Sequence, residues 1–359
     1  MNRYYNPVRT LEGPGSLSSL PEILNGMEPD SKRILLLVWS EEVLKNPAFS
    51  FLLDQKSGFQ TLPFSFQASN PTVEQLFETY EATKEFAPAV VIAVGGGSIM
   101  DVGKSLCCLY GHSLSNVDAL RELIVTKAYG TPAARWIGIP TTAGTGSETT
   151  CWATIWDPSQ DAKRSVECHE NYAWAAVVDS DLTKGMPLKL AVSSGLDAAA
   201  HGVESYWAKG TNCVSRAMAL SAIRMIMENM EGLLAGKETA REAMARGSMM
   251  AGLAFSNTKT TACHSISYPL TMHYSIPHGA AVSMLLAPLL KRNLPATKGS
   301  EALLNALGVS DVDELTRKIR RILKESGQPS TLKEWGVKKE DLPRLAALGM
   351  TKGRADNNP

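Results

Sequence analysis

Ala89-Val90-Val91-Ile92-Ala93-Val94-Gly95-Gly96-Gly97-Ser98-Ile99-Met100-Asp101-Val102-Gly103-Lys104 is the stretch that decides the fold. Six apolar residues without polar alternation read as a strand buried on both faces, the pattern of a parallel sheet covered by helices. The run stops on three glycines, and a helix is expected from about Met100. Such a strand–glycine–helix junction lets backbone N–H groups approach a phosphate closely at a helix N-terminus. The spacing matches neither the G-x-G-x-x-G nor the Walker pattern, so a tight turn is an equally good reading of these residues by themselves.

The surrounding chain repeats the pattern. Ile34–Trp39 and Arg135–Ile139 read as two further buried strands, and Val73–Phe86 reads as a helix started by Asn70-Pro71-Thr72. The third strand runs into Pro140-Thr141-Thr142-Ala143-Gly144-Thr145-Gly146-Ser147-Glu148, a loop rich in hydroxyls and glycines that suits ribose and phosphate. Two such loops after two strands of one sheet line the same carboxyl edge, where open α/β sheets bind ligands. Beyond about residue 185 strand-like runs nearly vanish. Helical stretches follow at Gly195–Lys209, Cys213–Leu234, Glu238–Phe255, Ala280–Leu290 and Val312–Ser326. The expected architecture is therefore an α/β dinucleotide-binding domain over residues 1–182 and an all-helical domain over 183–359, consistent with a length of 359 residues.

Composition excludes several classes. Lys plus Arg and Asp plus Glu are both 36, so no basic excess draws the chain to nucleic acid or an anionic membrane. No apolar run is long enough to span a bilayer, and the start, Met1–Pro7, lacks the pattern of a signal peptide. The six cysteines form no CxxC pair and read as thiols in a reducing compartment, so the expected location is cytoplasmic.

Four of the six histidines lie between positions 201 and 278. Asp197 and His201 stand i, i+4 and share a helix face. His264 and His278 flank a segment ending Ile276-Pro277-His278-Gly279. One carboxylate and three imidazoles make a plausible donor set for Fe2+ or Zn2+, although for any one histidine a packed or solvated role is the commoner outcome.

In their order, GGGSxxDxxK, PTTAGTGSE, the Asp197/His201 helix and the CH…IPHG segment resemble the iron-containing, or group III, alcohol dehydrogenases, from about Pro14 onward. The resemblance implies a Rossmann-like N-terminal domain with a helical C-terminal domain, the dehydroquinate synthase-like architecture, and a metal-dependent, NADH- or NADPH-linked reduction of a small aldehyde to a primary alcohol. It implies that Asp197, His201, His264 and His278 ligate Fe2+, Zn2+ or another divalent metal. It places Gly96, Gly97, Ser98 and Asp101, then Thr141, Thr142, Thr145 and Ser147, and also Lys163, on the cofactor. Two departures stand out. Tyr268 replaces a histidine usual four residues after the third ligand, leaving Tyr268 and His273 as candidate proton relays. Ser40 replaces an acid usual after the first strand in NAD-preferring members, which opens the site to NADPH.

Within the family, His264–Thr271 resembles the phosphonate-metabolism branch, which implies reduction of phosphonoacetaldehyde to 2-hydroxyethylphosphonate. The anionic aldehyde then needs cations, and Arg9, Lys352 and Arg354 are the candidates. The alternatives are a sulfoacetaldehyde reductase, a general short-chain alcohol or polyol dehydrogenase, and a non-catalytic nucleotide-binding module. A dehydroquinate synthase is disfavoured by the Asp197/His201 pair. A homo-oligomer is expected from the family.

Overall fold

The computed structural model describes residues 3–29, 31–350 and 354–359, so Lys352 lies outside the described residues. The chain divides into two compact units. One comprises Pro7–Thr141 with Ser147–Leu182, the other Met1–Asn6, Thr142–Gly146 and Thr183–Pro359.

The first unit contains β1 (Arg9–Glu12), α1 (Leu20–Met27), β2 (Arg33–Val38), α2 (Ser50–Leu53), β3 (Gln60–Ser65), α3 (Val73–Thr83), β4 (Val90–Gly95), α4 (Gly97–Leu109), α5 (Val117–Thr126), β5 (Arg135–Pro140), β6 (Trp152–Asp157), β7 (Ala162–Glu167) and β8 (Ala175–Val178). Six strands form one parallel sheet in the order β1-β8-β5-β4-β2-β3. Pro63 sits in β3, an edge strand, where a missing N–H costs no ladder bond.

The apolar strands are buried for the reason their composition implied. Leu35, Leu37, Val91, Ala93 and Trp136 pack on one face with Val102 and Leu106 of α4 and Leu120 of α5. Ile34, Leu36, Val38, Val90, Ile92, Val94 and Ile137 pack on the other with Leu20 and Leu24 of α1. The alternation of a strand thus feeds two cores, one on each side of the sheet.

The helix after the glycines starts at Gly97, three residues earlier than read. Residues 152–167 form an antiparallel hairpin, β6 with β7. Arg121 fastens it: its Nε donates to Asp157 Oδ1 at 3.2 Å, and Arg164 donates to Asp157 Oδ2 at 3.0 Å.

The second unit is helical: α6 (Leu188–Trp207), α7 (Cys213–Leu234), α8 (Glu238–Thr258), α9 (Ala262–Tyr274), α10 (His278–Asn293), α11 (Ser300–Leu307), α12 (Val312–Glu325) and α13 (Leu342–Gly349). α6 is buried from Ala191 to Trp207 with only Ser194 half-open, so it is the unit's central rod. Its glycines permit this. A Cβ on Gly202 would meet Ile223 of α7 at 2.8 Å, and one on Gly195 would meet Met244 of α8 at 3.0 Å. Among the described residues no helix is long and apolar enough to cross a membrane.

Candidate metal centre and dinucleotide turn

The central rod carries the first two site residues. Asp197 and His201 lie one turn apart on α6, 4% and 6% exposed. His264 enters from the first turn of α9 and His278 from the first residue of α10. α10 begins against α6 because Gly279 has no side chain: a Cβ there would stand 2.1 Å from the Ser193 carbonyl oxygen.

Ligand-type atoms of Asp197, His201 and His264 all fall within 4.8 Å of one another. Asp197 Oδ1 is 3.3 Å from His264 Nε2 and 3.8 Å from His278 Nε2, and His201 Nδ1 is 4.0 Å from Asp197 Oδ2. The rings stack in sequence. His201 lies between Phe255 at 4.3 Å and His264 at 4.2 Å, and His278 meets His264 edge-on at 5.4 Å.

Asp197 Oδ1, His201 Nδ1 and His264 Nε2 are buried with no hydrogen-bond partner. Leaving such an atom unsatisfied costs about 1–3 kcal/mol. Three of them converging from two helices fit a divalent cation, and one carboxylate with imidazoles suits Fe2+ or Zn2+. His278, with a side chain 32% exposed, is the open corner of the set.

Glu204 supports the centre from behind. Fully buried on α6, it accepts from the backbone N–H of Thr261 (3.1 Å) and Cys263 (2.8 Å) and from the Thr261 hydroxyl (2.6 Å). Its second carboxylate oxygen contacts His264 Nδ1. A carboxylate holding the far nitrogen of a ligand histidine fixes ring orientation and tautomer. With Asp197 and His201 it forms an i, i+4, i+7 stripe on one helix. That spacing is the sequence signal that points to Glu204.

Burial by itself would lower His264, but the Glu204 and Asp197 charges outweigh it and raise the imidazole to about 9. Burial and the neighbouring His264 charge push His201 down to about 4. Burial would raise Asp197, yet the three imidazoles hold its carboxyl well below the usual range. The donor set is therefore an ionised carboxylate beside at least one neutral ring.

The expected cofactor residues are placed as follows. β2 connects to its neighbour β3 on one side, whereas β4 connects to its neighbour β5 on the other, so the strand order reverses between β2 and β4. Ligands of open α/β sheets bind beyond the carboxyl ends at that point. Ser40 follows β2, and Gly96 is the extended cap of α4, with Gly97 and Ser98 opening the helix. Gly96 has no side chain to cap α4, whose first N–H groups have no partner inside the helix. Gly95 must lack a side chain, since a Cβ would stand 2.4 Å from Ile99. These features fit a dinucleotide pyrophosphate.

Several expected contacts have another task. The Ser147 hydroxyl donates to Asp101 Oδ1 at 2.9 Å, and Thr154 N–H donates to Asp101 Oδ2 at 2.9 Å. Asp101 and Ser147 thus tie α4 to the loop and the hairpin. Thr141 N–H extends the β4–β5 pairing by donating to Gly95 O at 3.0 Å, and Ser40 caps the next turn through Glu42 N–H. Lys163, in β7, lies over Trp156 at 5.8 Å. Thr142 and Thr145 belong to the stretch counted with the helical unit. There Gly146, at φ +56°, would put a Cβ 2.5 Å from Gly252 of α8.

Tyr268 lies one turn after His264 on α9, its ring parallel to His278 at 5.6 Å, and the Arg354 guanidinium stands 5.0 Å over that ring. His273 corrects the expectation. It is exposed and nine residues beyond His264, which is about 13 Å along the helix and on its opposite face. The structure does not bring it to the cluster. Arg9 lies flat on Trp174 at 3.7 Å in the first unit.

Comparison with known proteins identifies the family of the chain. Residues 7–180 match the iron-containing alcohol dehydrogenase family, and residues 191–359 match the C-terminal part of the Fe-containing alcohol dehydrogenase family. The chain is 31% identical to an NADPH-dependent butanol dehydrogenase of Clostridium saccharobutylicum, over 97% of this chain and 90% of the relative. It is 31% identical to an NAD-dependent methanol dehydrogenase of Bacillus methanolicus, over 100% and 96%. The crystal structure of a sulfoacetaldehyde reductase from Bifidobacterium kashiwanohense with NAD+ superposes with a TM-score of 0.86 at 26% identity, covering 100% of this chain and 94% of that one.

Proposed function

The chain belongs to the iron-containing alcohol dehydrogenase family, and from that premise we propose that it reduces a small aldehyde carrying an anionic head, phosphonoacetaldehyde first, to the primary alcohol 2-hydroxyethylphosphonate. The enzyme class is that of an alcohol dehydrogenase. The substrate rests on one observation: the Arg354 guanidinium stands over Tyr268, whose ring is parallel to that of His278. A cation one ring away from His278, a candidate metal ligand, suits an anionic group borne on the carbon next to the carbonyl. A guanidinium also matches a phosphonate with two parallel hydrogen bonds.

Asp197, His201, His264 and His278 would hold the divalent metal. A bound metal supplies Lewis acidity toward the carbonyl oxygen, and NADH or NADPH supplies the hydride. Arg354 orients the substrate by its anionic end. Tyr268, nearly buried beside His278, passes a proton to the product oxygen. Phe255 keeps water from the inner face of His201.

A panel of aldehydes with NADH and with NADPH, after metal loading, tests this reading. Phosphonoacetaldehyde should exceed propanal in kcat/KM. Arg354→Ala should lower the phosphonoacetaldehyde value about ten-fold or more, the size of one charge-assisted hydrogen bond, and the propanal value much less. Equal values for propanal and phosphonoacetaldehyde would defeat the anionic-substrate reading and leave a general short-chain dehydrogenase. The superposition on a sulfoacetaldehyde reductase favours sulfoacetaldehyde as the second substrate to test.

A further inference from the structure

Trp39 is 48% exposed, an unusual place for an indole in a chain whose Trp136 and Trp207 are buried. Its position is fixed. Trp39 N–H donates to Val94 O at 3.2 Å, which holds it level with the start of the glycine turn. The residues of β2 before it alternate between the two faces. Leu35 and Leu37 pack with Val102 and Leu106 of α4, while Ile34, Leu36 and Val38 pack on the opposite side. Leu37 reaches Gly103 of α4: a Cβ there would stand 3.7 Å from Leu37 Cδ2. Trp39 lies in the bend directly after β2, at the carboxyl end of the sheet. The next residue, Ser40, caps the following turn and stiffens the backbone that carries the indole.

An exposed flat apolar ring therefore follows β2 at the reversal of strand order, its backbone bonded to the strand that runs into the glycine turn. A dinucleotide whose pyrophosphate lies on that turn extends its adenosine half beyond the neighbouring strand, here β2. We infer that Trp39 is the platform on which the adenine of the bound dinucleotide stacks. The inference rests on the reading that this chain binds NADH or NADPH, and it adds the residue that grips the purine. Stacking is indifferent to the ribose 2′ position, so Trp39 serves both cofactors, and discrimination falls to Ser40 and the glutamates after it.

Titration calorimetry with ADP-ribose, nicotinamide mononucleotide and NADH tests it on the full-length, metal-loaded protein. Trp39→Ala should weaken ADP-ribose and NADH alike, by about ten-fold, the size of one lost base stack. Nicotinamide mononucleotide should bind as before. Trp39→Phe, which keeps a ring, should recover most of the loss. An unchanged ADP-ribose Kd in Trp39→Ala overturns the inference while leaving dinucleotide binding intact, as does an equal loss for nicotinamide mononucleotide. If the wild-type protein binds neither NADH, NADPH nor ADP-ribose, the dinucleotide reading itself falls and the inference falls with it.

Discussion

The Glu204 carboxylate contacts Nδ1 of His264, and that contact leaves Nε2 of the same ring facing Asp197, 3.3 Å away. A proton held on Nδ1 frees the Nε2 lone pair for a metal.

Glu204→Gln disturbs that choice in either amide orientation. An NH2 toward His264 drives the ring proton to Nε2, and an NH2 toward Thr261 and Cys263 opposes their N–H groups. Metal affinity should fall about 10–100-fold. Competition with a chelating dye measures it, with circular dichroism as a check on the fold. Unchanged affinity in a folded variant would show that Glu204 only packs.

Gly279→Ala tests how His278 is placed. The added Cβ would collide with the Ser193 carbonyl, so α10 must shift away from α6. Overpacking of this kind costs about 1–3 kcal/mol. Thermal melts should report the loss, and metal content should fall with it, because His278 opens the same helix. Full occupancy in this variant would separate His278 from the centre.

Ser40→Asp should move preference toward NADH. A carboxylate beyond β2 accepts ribose hydroxyls and repels a 2′-phosphate. The ratio of kcat/KM for NADH to that for NADPH is the readout, and an unmoved ratio would place the ribose elsewhere.

Asp157 tests the hairpin. Burial pushes its carboxyl up, but Ser159, Arg164 and Arg121 outweigh this and hold it below its ordinary value. A group lowered on folding stabilises the protein above its unfolded pKa, and that stability disappears as pH falls through the folded value. Asp157→Asn should therefore cost about 2–3 kcal/mol near neutral pH, with the difference from wild type closing below pH ~4. Urea melts at several pH values check it. A difference independent of pH would mean that the charge of Asp157 contributes nothing.

Much of the architecture was legible because it rests on local rules. Val90–Gly95 followed by Gly96-Gly97 could only be a buried strand meeting a helix, and Asp197 with His201 could only share a helix face. α9 was not legible as a helix, since Pro269 and the two serines before it, Ser265 and Ser267, argue against one. Tertiary contacts hold it, including the Ser265 hydroxyl on Gly349 O and a Gly349 backbone so close that a Cβ would lie 2.6 Å from Ile266. The β6–β7 hairpin escaped because Arg121, from α5, fastens it across a long stretch of sequence. Asp101 and Ser147 were read outward, toward a ligand, whereas they bond to each other. Pattern shows which residue types gather at a strand end, but not which spend their polar atoms on one another.

The most direct test of the metal-dependent reading is anaerobic titration of metal-free protein with Fe2+, following both bound metal and aldehyde-dependent NADH or NADPH oxidation. One ion per chain should bind, with activity rising in proportion to occupancy, and both should be lost together in His264→Ala. Full activity in the metal-free protein, or in His264→Ala, would contradict the account.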